Sequence, residues 1–68
     1  MDWVERIQEA RRMAKTIEDI EYIEDKIRTS PQRPNYRTNA GRETRDLLLS
    51  QCQEKALQFI NEGAVPFN

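Results

Sequence analysis

A proline-punctuated basic stretch in the middle of this chain limits its fold more than any other feature. From Lys26 to Arg42 the sequence carries Lys26, Arg28, Arg33, Arg37 and Arg42 and no Asp or Glu, with prolines at 31 and 34. Proline has no N–H to donate, and the residue before it avoids the α region. No helix can therefore run through Ser30–Pro34, and any helices must lie on either side. The residues before and after this stretch are net acidic, so the overall charge of −1 conceals a localised positive patch. A clustered field of this kind attracts anions far better than the net charge suggests.

The first flank carries Trp3, Ile7, Ala10, Met13/Ala14, Ile17, Ile20, Ile23 and Ile27. Steps of three and four place these residues on one helical face, with charged residues on the others. Asp2 followed by Glu5 reads as a capping box. With no Gly or Pro to break it, this pattern predicts one helix over residues 3–29, about 40 Å long.

The connector, residues 30–38, is a loop. The second helix is predicted over residues 39–62, with Thr38 or Asn39 as N-cap. Its apolar face is Leu48/Leu49, Cys52, Ala56 and Phe59/Ile60, with Leu47 to one side. Gly63 is the expected helix stop. Gly41 costs the first turn about 1 kcal/mol of propensity but leaves its N–H groups open to close approach. The tail, residues 63–68, contains Val65 and Phe67, which are expected to fold back or dock on a neighbour.

A chain of 68 residues makes one small domain. Chains of this size bury only about 60% of their unfolded surface and usually need a staple. One cysteine and no histidine provide neither a disulfide nor a metal centre. The predicted fold is therefore all-α: a two-helix antiparallel hairpin with a long basic connector, completed by homo-oligomerisation. Trp3, Ile7, Ile17, Ile20, Phe59 and Phe67 are the expected interface residues. The same stripe has a second use, as a surface for a foreign protein partner. No apolar run approaches the roughly 20 residues of a membrane span, and the N-terminus is acidic and amphipathic rather than signal-like. With a single thiol, these features predict a cytoplasmic protein without a membrane partner.

Catalysis is not expected. The commonest general base is missing, Cys52 lies on the apolar face where a buried inert thiol is expected, and Asp19, Glu24 and Asp46 read as solvated helix faces. No cofactor is implied. The connector is the better candidate, because phosphate recognition uses cations, hydroxyl or amide donors and free N–H groups at a helix start. Arg33, Arg37 and Arg42 supply charge, Thr38, Asn39 and Thr44 supply donors, Gly41 allows close approach, and Tyr36 offers a stacking face. The loop is not a Walker A sequence. The competing reading pairs these arginines with Glu21, Glu24, Asp25, Glu43 or Asp46. Sequence-specific DNA binding is disfavoured by the long turn and by the mixed charge of the second helix.

The string Arg37-Thr-Asn-Ala40-Gly-Arg-Glu-Thr44, opening a helix, resembles the small phage-encoded helical proteins that sequester cyclic oligonucleotide signals. The tail pair Pro66-Phe67 is similar to theirs as well. The resemblance implies an all-α oligomer and a non-enzymatic sponge that binds a cyclic nucleotide through Tyr36, Arg37 and Thr44. Two functions are thus expected from the sequence. The first is capture of a phosphorylated small molecule at the connector and the start of the second helix. The alternative is a protein–protein module, a small inhibitor or adaptor, that docks through the first helix and the apolar tail.

Overall fold

The computed structural model describes residues 2–64, with side chains as far as Glu62. It contains three α-helices, α1 (Trp3–Met13), α2 (Ile17–Thr29) and α3 (Asn39–Phe59), followed by a π-helical turn over Ile60–Ala64. Among the described residues there is no strand. The Asp2/Glu5 capping box forms as the sequence predicts. Glu5 N–H donates to Asp2 Oδ1 at 2.8 Å, and Asp2 N–H donates to Glu5 Oε1 at 3.0 Å.

The single helix expected over residues 3–29 is instead two helices. Ala14 turns to extended geometry (φ −64°, ψ 138°), and Thr16 (φ −135°, ψ 165°) starts a new helix. The cause is a second capping box. Asp19 N–H donates to Thr16 Oγ1 at 3.1 Å, and Asp19 Oδ2 accepts from the N–H groups of Thr16 at 3.1 Å and Lys15 at 2.9 Å. Those bonds satisfy N–H groups that a continuous helix would have used internally. The Lys15 N–H, with help from Thr16, holds the Asp19 carboxyl below the usual carboxylate range. Lys55 Nζ donates to the Arg12 carbonyl at 3.4 Å, near the end of α1.

The break reverses the chain. Trp3 Nε1 donates to Ser30 Oγ at 3.0 Å. One straight helix would have set these residues about 40 Å apart. α1 therefore runs back along α2, and α2 and α3 form an antiparallel hairpin, with α1 packed against both. The core is Ile7 from α1, Ile20, Ile23 and Ile27 from α2, and Leu48 and Cys52 from α3. Trp3, Val4, Ala14, Leu49, Ala56 and Phe59 pack around it.

This arrangement corrects the two-helix reading. The third wall that a second copy was expected to provide comes from α1 of the same chain. Ile7 and Ile20 are spent in that core and so are not free interface residues, and Trp3 is half-buried against it. Ile17 and Phe59 are half-buried. Cys52 is fully buried as expected, and burial, with Glu24 nearby, pushes its thiol up against a smaller opposing pull from Arg11. At the other end, α3 does not stop at Gly63. The Ile60 N–H is shared between the Ala56 and Leu57 carbonyls, and the widened turn carries through Gly63 to Ala64. Phe67 and the rest of the tail beyond Ala64 lie outside the described residues.

Candidate anion-binding loop

The α2–α3 loop is folded by its own side chains. Tyr36 OH donates to the Ile27 carbonyl in the last turn of α2. Arg33 Nη1 donates to the carbonyls of Ser30 at 2.8 Å and Thr29 at 3.3 Å, placing a cation at the negative end of that helix. Ser30 is buried, and its Oγ accepts from Trp3 Nε1 and from the Gln32 N–H.

The start of α3 is fastened to the same loop. Arg42 Nη1 donates to the carbonyls of Arg37 at 3.0 Å and Tyr36 at 3.4 Å, and Arg42 Nη2 donates to Asn39 Oδ1. Asn35 Oδ1 accepts from the Arg37 N–H at 2.9 Å, a short side-chain turn. Thr38 caps α3: its Oγ1 accepts from the Gly41 N–H at 3.0 Å and donates to the Asn35 carbonyl at 2.9 Å.

Gly41 has a different role from the one expected. It is buried, and a Cβ there would sit 1.9 Å from the Asn35 carbonyl oxygen. The close approach that glycine permits is made by the chain's own loop, and Thr38 takes the Gly41 N–H. The arginines also differ from the competing reading. Among the described residues, Arg33 and Arg42 bond backbone carbonyls and Asn39 rather than Glu21, Glu24, Asp25, Glu43 or Asp46.

Two open depressions meet at Tyr36. One, of about 450 Å³, is lined by Pro31, Arg33, Pro34, Asn35, Tyr36 and Arg37. The other, of about 440 Å³, is lined by Arg28, Tyr36, Arg45, Asp46 and Leu49. The Arg45 guanidinium lies 5.5 Å from the Tyr36 ring centroid and pairs with Asp46 at 3.1 Å. Burial pushes the Tyr36 hydroxyl up, against smaller pulls from Arg33 and Arg45, so it stays protonated and donating. Arg28 and Arg37 are exposed, and their side chains have no hydrogen bond or ion pair among the described residues. Arg33 keeps Nε and Nη2 uncommitted there.

Of the expected site residues, Arg33, Tyr36 and Arg37 therefore share one depression, while Arg42, Asn39 and Gly41 build the loop. Thr44 is half-buried and lines neither depression. Arg28, counted in the basic stretch, and Arg45 were not among the expected site residues. Nothing in the sequence ties either to the connector's tyrosine, and only antiparallel packing of α2 on α3 places them beside Tyr36.

The start of α3 is also electrostatically unlike the other two. α1 and α2 carry acids in their first turns, Glu5 in one and Glu18 and Asp19 in the other, whereas the first turn of α3 has none. Its positive end is thus left without a carboxylate partner from that turn. Among the described residues no group of His, Cys, Asp or Glu is placed to hold a metal ion, and no helix is long and apolar enough to cross a membrane. No protein-family model, curated protein or solved structure matches this chain.

Proposed function

We propose that this is a non-catalytic binding protein that captures a phosphorylated small molecule at the loop end of the α2–α3 hairpin. One observation carries the reading: Tyr36 is pinned between two depressions, with Arg33 and Arg37 in one and Arg28 and Arg45 in the other. Arginine forks match phosphate oxygens in pairs. A loop already fixed by its own bonds loses little conformational entropy when a ligand arrives. The similarity of residues 37–44 to cyclic-oligonucleotide-sequestering proteins makes a nucleotide the phosphate compound to try first.

The test is calorimetric titration with inorganic phosphate, mononucleotides and cyclic oligonucleotides at low and high salt, repeated with Arg28→Glu and Arg37→Glu. Binding that weakens with salt and is lost in both variants supports the reading. Binding of none of these anions by the folded protein at low salt overturns it.

A second reading is favoured by Met13 and Tyr22, which are 68% and 63% exposed and line one depression across α1 and α2 with Ala10, Ala14 and Ile23. In this reading the chain is a protein–protein module, and that face takes a protein, a second copy included. Met13→Asp with Tyr22→Asp would then abolish the complex and leave phosphate binding intact.

A further inference from the structure

Ser30 closes α2 and opens the basic loop, and every polar atom it carries has a partner. Its N–H donates to the Lys26 carbonyl at 2.9 Å, and its carbonyl accepts from the Arg33 N–H at 3.1 Å and from Arg33 Nη1 at 2.8 Å. Its Oγ accepts from the Gln32 N–H at 3.2 Å and from Trp3 Nε1 at 3.0 Å, and donates to Gln32 Oε1 at 3.0 Å. Ser30 is only 7% exposed, so water does not readily replace a lost partner. We infer that Trp3 is a positioning residue for the anion site: through Ser30, its indole N–H fixes where Arg33 stands. That role rests on the loop being an anion site.

Trp3 is the one member of this network from outside residues 26–33, and among the described residues its bond is the one hydrogen bond between α1 and the loop. Pro31 stands between Ser30 and Gln32 with its φ fixed by the ring, so the turn from Ser30 to Arg33 has few soft dihedrals left. Holding the Ser30 hydroxyl with Trp3 therefore also holds the Gln32 N–H, and with it the turn that carries Arg33. Pro31 and Arg33 line the same depression. Arg33 commits Nη1 to the Ser30 and Thr29 carbonyls and leaves Nε and Nη2 to meet an anion. A guanidinium already held through Nη1 loses less freedom when an anion engages its other nitrogens. The coupling is reciprocal, so a bound anion strengthens the Trp3–Ser30 contact by the same factor.

The experiment joins calorimetric titration of the full chain at low salt, with inorganic phosphate, mononucleotides and cyclic oligonucleotides, to amide exchange on the unliganded protein. Trp3→Phe keeps an aromatic ring and removes the N–H; it is made alone and combined with Arg33→Gln or with Arg45→Gln. Alone it is expected to weaken anion binding about three- to tenfold, the worth of one hydrogen bond. With Arg33→Gln the added loss should fall below about twofold, because coupled residues are not additive, and with Arg45→Gln it should persist in full. A general loss of stability would act alike in both backgrounds. Ser30→Ala breaks the same link from its other side and replaces Trp3→Phe if that variant does not fold. Unchanged affinity in Trp3→Phe, or equal losses in both backgrounds, would overturn the role. Should the wild-type protein bind none of these anions, the anion reading fails by itself and exchange decides the positioning. Faster exchange of the Gln32 and Arg33 N–H groups in Trp3→Phe, with Gly41 unchanged, then supports the link from Trp3 to the Arg33 turn, and unchanged exchange overturns it.

Discussion

At the loop end of the α2–α3 hairpin, directional bonds set the structure: Tyr36 to the Ile27 carbonyl, Arg33 to Ser30, Arg42 to Arg37, and Thr38 to Asn35 and Gly41. At the opposite end Ile17, Leu57 and Ile60 stand half-buried or exposed around an apolar groove. The first region is held by groups that must meet particular partners at particular distances. The second relies on non-directional burial, which tolerates changes of shape better. A single misplaced atom should therefore damage the loop end far more than the groove end. The arginines that the loop does not consume are also held in fixed positions.

Gly41→Ala should test this contrast most severely. Alanine would normally gain about 1 kcal/mol of helix propensity. Here its Cβ meets the Asn35 carbonyl, a backbone atom, at 1.9 Å. Overpacking of this kind should destabilise the fold by about 2–3 kcal/mol in urea unfolding. A net stabilisation would mean that the loop is not packed on α3 as described. Tyr36→Phe should come next, with a loss of about 1–2 kcal/mol, since it strands the Ile27 carbonyl. Its anion titration would also show whether loop order and binding are coupled.

At the other end, Thr16→Ala removes the cap that separates α1 from α2, and should cost about 1 kcal/mol. The same corner gives the two ends different responses to acid. Asp19 has a lowered pKa in the folded protein, chiefly through the Lys15 N–H. Its contribution is therefore present above the unfolded pKa and is lost as pH falls through the folded value. Amide exchange at Lys15 and Thr16 should accelerate below the normal carboxylate range before exchange at Gly41 and Thr38 does. Simultaneous acceleration at both ends would remove this distinction. The smallest stability effect should come from Arg37→Glu, within about 0.5 kcal/mol, because its exposed side chain has no hydrogen-bond partner among the described residues. Its effect should fall on anion binding instead, and calorimetry measures both on one sample.

The corner at Thr16 was legible in the sequence without any structure. Thr16-Ile-Glu-Asp19 fits a capping-box start, but the steps of three and four continue across it from Met13/Ala14 to Ile17 and Ile20, and that apolar rhythm masked the signal. Periodicity reports which residues share a face and does not report whether the chain reverses between them. The loop residues were also visible by type, yet their division of labour was not. Arg33, Arg37 and Arg42 look equivalent in the sequence, and only the fold commits Arg42 to Arg37 and Asn39 and leaves the Arg37 side chain open.

The sequence by itself determined that this chain is helical, that Ser30–Pro31 ends one helix and that Thr38 or Asn39 starts another, and it put Ile23, Ile27, Leu48 and Cys52 on apolar helix faces. These are local matters of backbone geometry, capping and period, and they can be read within a few residues. The tertiary structure decided that α1 folds back to seat Ile7 in the core and bring Trp3 to Ser30, and that Arg28 and Arg45 meet at Tyr36. Those outcomes depend on pairing residues far apart in the chain, where closure entropy and packing of side chains from three helices set the answer.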